Sequence, residues 1–263
     1  MKKNIAVIST KGGVGKSTIS EHLLPYVLRD LDFQVIEIDD NNDTFKALQN
    51  SELLRDKITS CDIAKGTEKL EEIVIQNMLE DSNITIIDAG GGNDSKKVIE
   101  SLKDQNMESD TLFIIPFFPD FGQIQNLFET VQLVQKEDYI VVLNSYAGTK
   151  EDDMFIDGNE DFEIENLSKI FKDRFLIIPK TNLFSFSSTR NKESIYDFAQ
   201  RAFDFSQTEI LEWAKKETKA DKETMLSIYR DWKISNTAKQ YLESEKIENF
   251  KAMILEKIKG IKK

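Results

Sequence analysis

Short apolar runs of strand length recur as far as Pro179, at residues 4–9, 34–38, 84–88, 111–116, 139–144 and 175–179. Most are apolar at consecutive rather than alternate positions, the pattern of strands covered on both faces. Between them, at 17–29 and 123–135 for example, apolar residues return every three to four positions, the period of a helix with one buried side. Strand and helix alternating in this way predict an α/β fold of repeated βα units, a twisted, mainly parallel sheet flanked by helices. Past Phe205 the strand signals stop, and 207–217, 222–233 and 237–259 read as helices. Residues 1–203 are therefore expected to form the sheet domain, and 204–263 a helical C-terminal extension packed on it. The glycine-containing, acidic stretch 145–161 reads as a long surface loop.

Composition narrows the class only slightly. A chain of 263 residues with 40% apolar content can bury one sizeable core, and 31% charged residues with four prolines suit a helix-rich soluble protein. Cys61 is the single cysteine, so an intramolecular disulfide and a cysteine metal site are excluded, and a buried small side chain is expected. The apolar stretch 5–8 is too short for a signal-peptide core, and no run nears the roughly 18 apolar residues of a membrane span; a cytoplasmic location is expected. The net charge of −12 opposes non-specific binding to polyanions by the average surface. It is unevenly spread, with −14 before residue 204 and +2 from there on, so any nucleic-acid contact calls for a local patch toward the C-terminal end.

The most specific chemistry lies between the first strand and the first helix, in Lys11-Gly12-Gly13-Val14-Gly15-Lys16-Ser17-Thr18. Glycines let backbone N–H groups approach phosphate oxygens, and a helix starting near Lys16 directs its unpaired N–H groups and positive end at the anion. In such a loop Lys16 reaches the β and γ phosphates, the Ser17 hydroxyl ligates Mg2+, and Thr18 sits by the α phosphate. A carboxylate at the tip of an apolar strand is needed opposite it to hold magnesium or its waters. Asp88, closing Ile84-Thr85-Ile86-Ile87, supplies one, unless it merely caps the next helix.

The generic phosphate-loop pattern has glycine where this chain has Thr10, and this chain instead has Lys11 directly before the double glycine. That deviant form resembles the ParA/MinD family of deviant Walker A P-loop ATPases. The resemblance implies a P-loop NTPase-type fold, ATP with Mg2+ as cofactors, and an ATP-sandwich homodimer in which Lys11 reaches the partner's nucleotide. Gly12, Gly13, Val14, Gly15, Lys16, Ser17 and Thr18 would cradle the phosphates. Val141-Val142-Leu143-Asn144 resembles the family strand whose asparagine bonds the adenine, and Pro179 begins a segment like the one that closes over the base. Ala89-Gly90-Gly91-Gly92 resembles the switch that senses the γ phosphate.

The second strand ends in Glu37-Ile38-Asp39-Asp40-Asn41-Asn42-Asp43, where many relatives carry Asp-x-Asp, and Asn41 takes the place of the second aspartate. An amide can position water but cannot take its proton, which predicts slow hydrolysis or another carboxylate. The spacing of Asp39 and Asp43 resembles that of nitrogenase iron proteins, more distant relatives, and makes them the first choices, Asp39 also for the metal; a solvated acidic loop is the plain alternative. His22 is expected to pack. The interleaved apolar and lysine residues of 250–263 leave docking on the body, membrane contact and DNA or partner contact open. The resemblance implies a partition ATPase that binds DNA non-specifically and is discharged by a ParB-like or other stimulating protein. A MinD-like switch on membrane or protein cargo, and a metabolic ATP-dependent enzyme, are the alternatives.

Overall fold

The computed structural model describes residues 2–38, 47–61, 67–79, 83–160, 164–218 and 221–260. The strands are β1 (Asn4–Val7), β2 (Phe33–Ile38), β3 (Ile58–Ser60), β4 (Ile84–Ala89), β5 (Thr111–Phe117), β6 (Asp138–Tyr146) and β7 (Phe175–Pro179). They form one seven-stranded sheet among the described residues, in the order β3-β2-β4-β1-β5-β6-β7, with every pairing parallel. The connection leaving β1 runs to β2 on one side, whereas that leaving the adjacent β5 runs to β6 on the other. Their carboxyl ends thus flank a switch point, where α/β sheets open a crevice for ligands.

Helix α1 covers residues 16–28, with a π-helical turn at Ile19–Leu23. It is followed by α2 (Glu68–Leu79), α3 (Asn93–Asp104), α4 (Phe121–Val134), α5 (Lys150–Asp157), α6 (Leu167–Phe171), α7 (Leu183–Phe186), α8 (Ile195–Ala199), α9 (Gln207–Glu217), α10 (Lys222–Leu242) and α11 (Glu245–Lys259). Side chains alternate across each strand, so a run of consecutive apolar residues feeds two cores. Ile5 and Val7 of β1 join Ile86, Leu112 and Val142 under α1 and the C-terminal helices. Ala6 and Ile8 join Ile36, Ile87, Phe113 and Val141 under α3 and α4.

Three sequence expectations change. Strand β3 is a half-exposed three-residue edge, too short to leave a periodic signal. The stretch expected as a loop contains α5, started by a capping box in which Thr149 and Asp152 satisfy each other's backbone N–H groups; buried Phe155 anchors it. The break placed between 233 and 237 lies instead after Leu242, where one continuous helix ends with the Glu243 N–H bonded back to Lys239 O.

The C-terminal helices share the body's core. Ile247, Phe250, Ile254 and Ile258 are buried with the strand residues, the Lys2 N–H donates to Ile258 O at 2.8 Å, and the Tyr26 hydroxyl donates to Glu248 at 3.0 Å. Trp232 Nε1 donates to Phe203 O, and Trp213 packs beside Phe203 and Phe205. Cys61 is buried. No helix among the described residues is long and apolar enough to cross a membrane.

His22 packs, as expected. Its Nδ1 accepts the Ile195 N–H at 3.1 Å, its ring lies against Phe184, and burial pushes its pKa down to about 4. The unfolded chain therefore binds the proton first on acidification, so stability is lost as pH falls from about 6.5 toward 4, by about 3 kcal/mol. Because the raised carboxyls of Asp88 and Glu21 work in the opposite direction over the same range, the His22 contribution should be read as the difference between urea titrations of the wild type and His22→Gln; an identical pH slope in the two would refute the assignment.

Candidate functional site

The site is built where β1, β2, β4 and β6 end. After β1 the chain turns through Gly13 (φ 75°) and Gly15 (φ 90°), left-handed conformations that glycine adopts without a Cβ penalty. Gly15 has a second constraint, since a Cβ there would lie 1.9 Å from Asn144 Nδ2. Asn144, buried at the end of β6, donates to Val14 O at 3.0 Å and accepts from the Ser145 N–H at 2.9 Å. It thereby clamps the loop to the sheet.

Thr10, the departure from the generic pattern, is structural. Its N–H donates to Thr130 Oγ1 at 3.1 Å and its hydroxyl lies 3.2 Å from Asn126 O, tying the loop to α4. Ser9 N–H donates to Ser95 Oγ, which in turn donates to Gly90 O, so the loop after β1 and the turn after β4 share one brace. That turn lies directly on the phosphate loop: a Cβ on Gly91 would come 3.0 Å from Gly12 Cα.

Two cavities open on either side of Lys16 and Ser17. The larger, about 380 Å³, is lined by Gly13, Gly15, Lys16, Ser17, Thr18, Phe118, Asn144, Ser145, Pro179, Thr181, Phe184 and Ser185. Its glycine-rich end offers backbone N–H groups and its far end an aromatic ring and a proline. The Tyr241 hydroxyl of α10 donates to Pro179 O at 3.0 Å and its ring stands edge-on to Phe184, so a C-terminal helix braces this wall. The smaller cavity, about 230 Å³, is lined by Gly12, Gly13, Lys16, Ser17, Glu37, Ile38, Asp88, Ala89, Gly90 and Gly91.

Of the residues singled out from the sequence, Lys16, Ser17 and Asp88 therefore meet at one cavity, and Lys16, Ser17, Thr18, Asn144 and Pro179 at the other. Val14 contributes its carbonyl to Asn144 and is itself buried. Lys16 is 8% exposed, and its Nζ donates to Lys11 O at 3.3 Å. The Lys11 side chain is exposed and lines neither cavity. Asp39 and Asp43, with Asp40 and Asn41, lie outside the described residues.

Sequence reasoning missed two buried acids. Glu37 stands opposite Asp88 in the β2–β4 register, and Glu21 is buried on α1. Burial, followed by the charges of Asp88 and Glu37, holds Glu21 well above the usual carboxylate range. Burial also pushes Asp88 up to about 6, against the opposing hydrogen bonds from Ser17 and Ser20 and the charge of Lys16. A glutamate inside an otherwise apolar strand end was the available signal for Glu37; Glu21, on a helix with mixed neighbours, offered none.

The donor set fits magnesium. Asp88 Oδ1 is a buried oxygen with no hydrogen-bond partner, it shares the cavity with the Ser17 hydroxyl, and both are hard oxygen donors. Among the described residues no group of three or more acidic, histidine or cysteine side chains is arranged to hold a metal alone.

Known proteins share this arrangement of elements. Apo McdA from Cyanothece superposes with a TM-score of 0.54 at 12% identity, over 76% of this chain and 94% of McdA. An ATP complex of a Cyanothece McdA variant gives 0.52 at 12% identity, over 93% and 97%. A candidate plasmid partition protein from Borrelia burgdorferi bound to AMPPNP gives 0.51 at 16% identity, over 89% and 98%. At these identities the likeness is one of fold. No curated protein matches by sequence. Residues 5–195 match the profile of the CobQ/CobB/MinD/ParA nucleotide binding domain, a span that runs from β1 to the start of α8 and holds every residue lining the two cavities. The chain belongs to the CobQ/CobB/MinD/ParA family of nucleotide-binding domains.

Proposed function

We propose that this protein is a ParA-like, Mg-ATP-dependent dimerising ATPase, a nucleotide switch acting in plasmid or chromosome partition. The observation that carries the reading is the placement of Lys11. Its backbone carbonyl is engaged by Lys16, while its side chain stands exposed at the mouth of the site and outside its own subunit's cavities. A lysine so placed is available to phosphate on a second copy across a shared face.

In this reading the larger cavity takes the base and ribose beside Asn144 and Pro179, and the glycine loop with Thr18 takes the phosphates. Lys16 bridges the two cavities to neutralise the β and γ oxygens, and Ser17 with Asp88 holds the ion, which when bound polarises the terminal phosphate. Asp39 and Asp43 orient water or metal, with hydrolysis slow because Asn41 cannot take a proton. A ParB-like or other partner then accelerates the discharge of the dimer. Lys180, Lys192, Lys215 and Lys216 are exposed and are the candidates for DNA phosphates, together with Arg190.

The second reading is a MinD-like switch on a protein cargo or a membrane. The burial of Ile247, Phe250, Ile254 and Ile258 in the core counts against a membrane-inserted C-terminal helix, since its apolar side is already occupied.

The test is light scattering with size separation, beside DNA binding, on the wild type and Lys11→Ala with a non-hydrolysable ATP analogue. The wild type should form dimers and bind DNA, with affinity falling steeply as salt rises because lysines displace counterions. Lys11→Ala should keep nucleotide binding but lose the dimer at least tenfold. Dimers without DNA binding at any salt would move the cargo reading to the front; a dimer indifferent to Lys11→Ala would remove the sandwich.

A further inference from the structure

We propose that Glu37 is a second carboxylate of the phosphate–metal cavity, a positioning residue that strengthens the hold on the divalent ion and weakens the hold on the bare nucleotide. The inference rests on the reading of these cavities as a Mg-nucleotide site.

Three observations converge on it. Glu37, the penultimate residue of β2, lies directly beside Asp88 of β4, and neighbouring parallel strands lie only about 4.8 Å apart. Its side chain is 4% exposed, so it is not part of a solvated acidic face, yet it lines the same cavity as Lys16, Ser17, Asp88 and Gly90. The carboxylates act on one another, because the charges of Asp88 and Glu37 both disfavour ionisation of Glu21.

Among the described residues lining this cavity, Lys16 is the single cation beside Glu37 and Asp88. Burying an acid is costly, and nothing in the packing of an apolar strand requires one at this position. A divalent ion in the cavity would draw favourably on both carboxylates, and Asp88 Oδ1 gives it a directed ligand. Phosphate arriving without the ion meets the same carboxylates as a repulsive field. Metal and metal-free nucleotide should therefore respond to Glu37 with opposite signs, which a residue that merely supports the fold would not produce.

The experiment is carried out at pH 8 on the full chain. Mn2+ binding to the ADP-saturated protein is followed by electron paramagnetic resonance, and ADP binding in EDTA by calorimetry. Glu37→Gln should weaken Mn2+ binding at least tenfold while leaving metal-free ADP binding unchanged or tighter, and Glu37→Asp should recover most of the Mn2+ affinity. Unchanged Mn2+ affinity in Glu37→Gln overturns the proposal, and so does a parallel loss of Mn2+ and metal-free ADP binding. If Glu37→Gln does not fold, the unmutated chain labelled with carboxyl-13C glutamate decides the matter, since Mn2+ should show 13C coupling to a glutamate carboxyl and its absence overturns the assignment. Failure of the wild type to bind ADP at all would instead remove the nucleotide reading beneath it.

Discussion

Replacing Lys16 by alanine should cost about 100-fold in ATP affinity without unfolding the protein. Lys16 is nearly buried between the two cavities and borders both, so its ammonium would bond phosphate where little water competes. Two charge-assisted hydrogen bonds at about 1.5 kcal/mol or more each give about two decades of affinity. The fold should survive, because the Lys11 carbonyl that the Lys16 ammonium bonds at 3.3 Å lies on an exposed loop where water can replace it, and Asp88, already pushed up to about 6 by burial, can take a proton once the cation beside it is gone. Calorimetry gives the affinity directly. A melting shift gives it indirectly, since ligand at 100 times its dissociation constant stabilises by about 2.7 kcal/mol and the same concentration should stabilise the variant by only about 0.4 kcal/mol. Binding within threefold of wild type would mean that the glycine loop is not the phosphate site. The contrast with Lys11→Ala is informative, as that variant should bind nucleotide and fail only in dimer formation.

The largest stability effect should come from the far end of the chain. Phe250 on α11 is fully buried, packed among strand and α1 residues of the main core. Phe250→Ala should cost about 3–5 kcal/mol, from lost transfer energy and the cavity left behind, and should lower the urea midpoint of the entire chain in a single transition. The coupling extends to the nucleotide wall, because α10, which precedes α11, holds Pro179 and Phe184 through Tyr241. A second, separate transition for the C-terminal helices, with the sheet unaffected, would show that they form an independent unit. A loss under 1 kcal/mol would show that the helix is peripheral.

Some of this was legible in the residues. Consecutive apolar positions at 84–88 or 111–116 suit a strand buried on both sides, and their alternation with helical segments points to helices on both faces and parallel crossovers. The glycine loop was legible because the tight turn between a strand and a helix passes through left-handed backbone at Gly13 and Gly15, which glycine adopts without a Cβ penalty. Even so, local pattern misplaced what depends on partners. The three residues of β3 are a strand only because β2 offers an edge. Residues 233–237 continue a helix because neighbouring turns, rather than the sequence around the join, satisfy its backbone.

Residue type and order thus determined the strand-and-helix alternation, the glycine loop after β1 and the acidic end of β4, since each is written in a few consecutive residues. Tertiary structure alone decided which acids stand together and what Asn144, Thr10 and the C-terminal helix touch. Glu37 meets Asp88 only through the β2–β4 register, Asn144 meets Val14 across 130 positions of chain, and the apolar side of α11 finds its partner in a sheet whose strands come from distant parts of the sequence. Contacts between residues so far apart depend on how the strands pair and the helices pack, which no local stretch of sequence encodes.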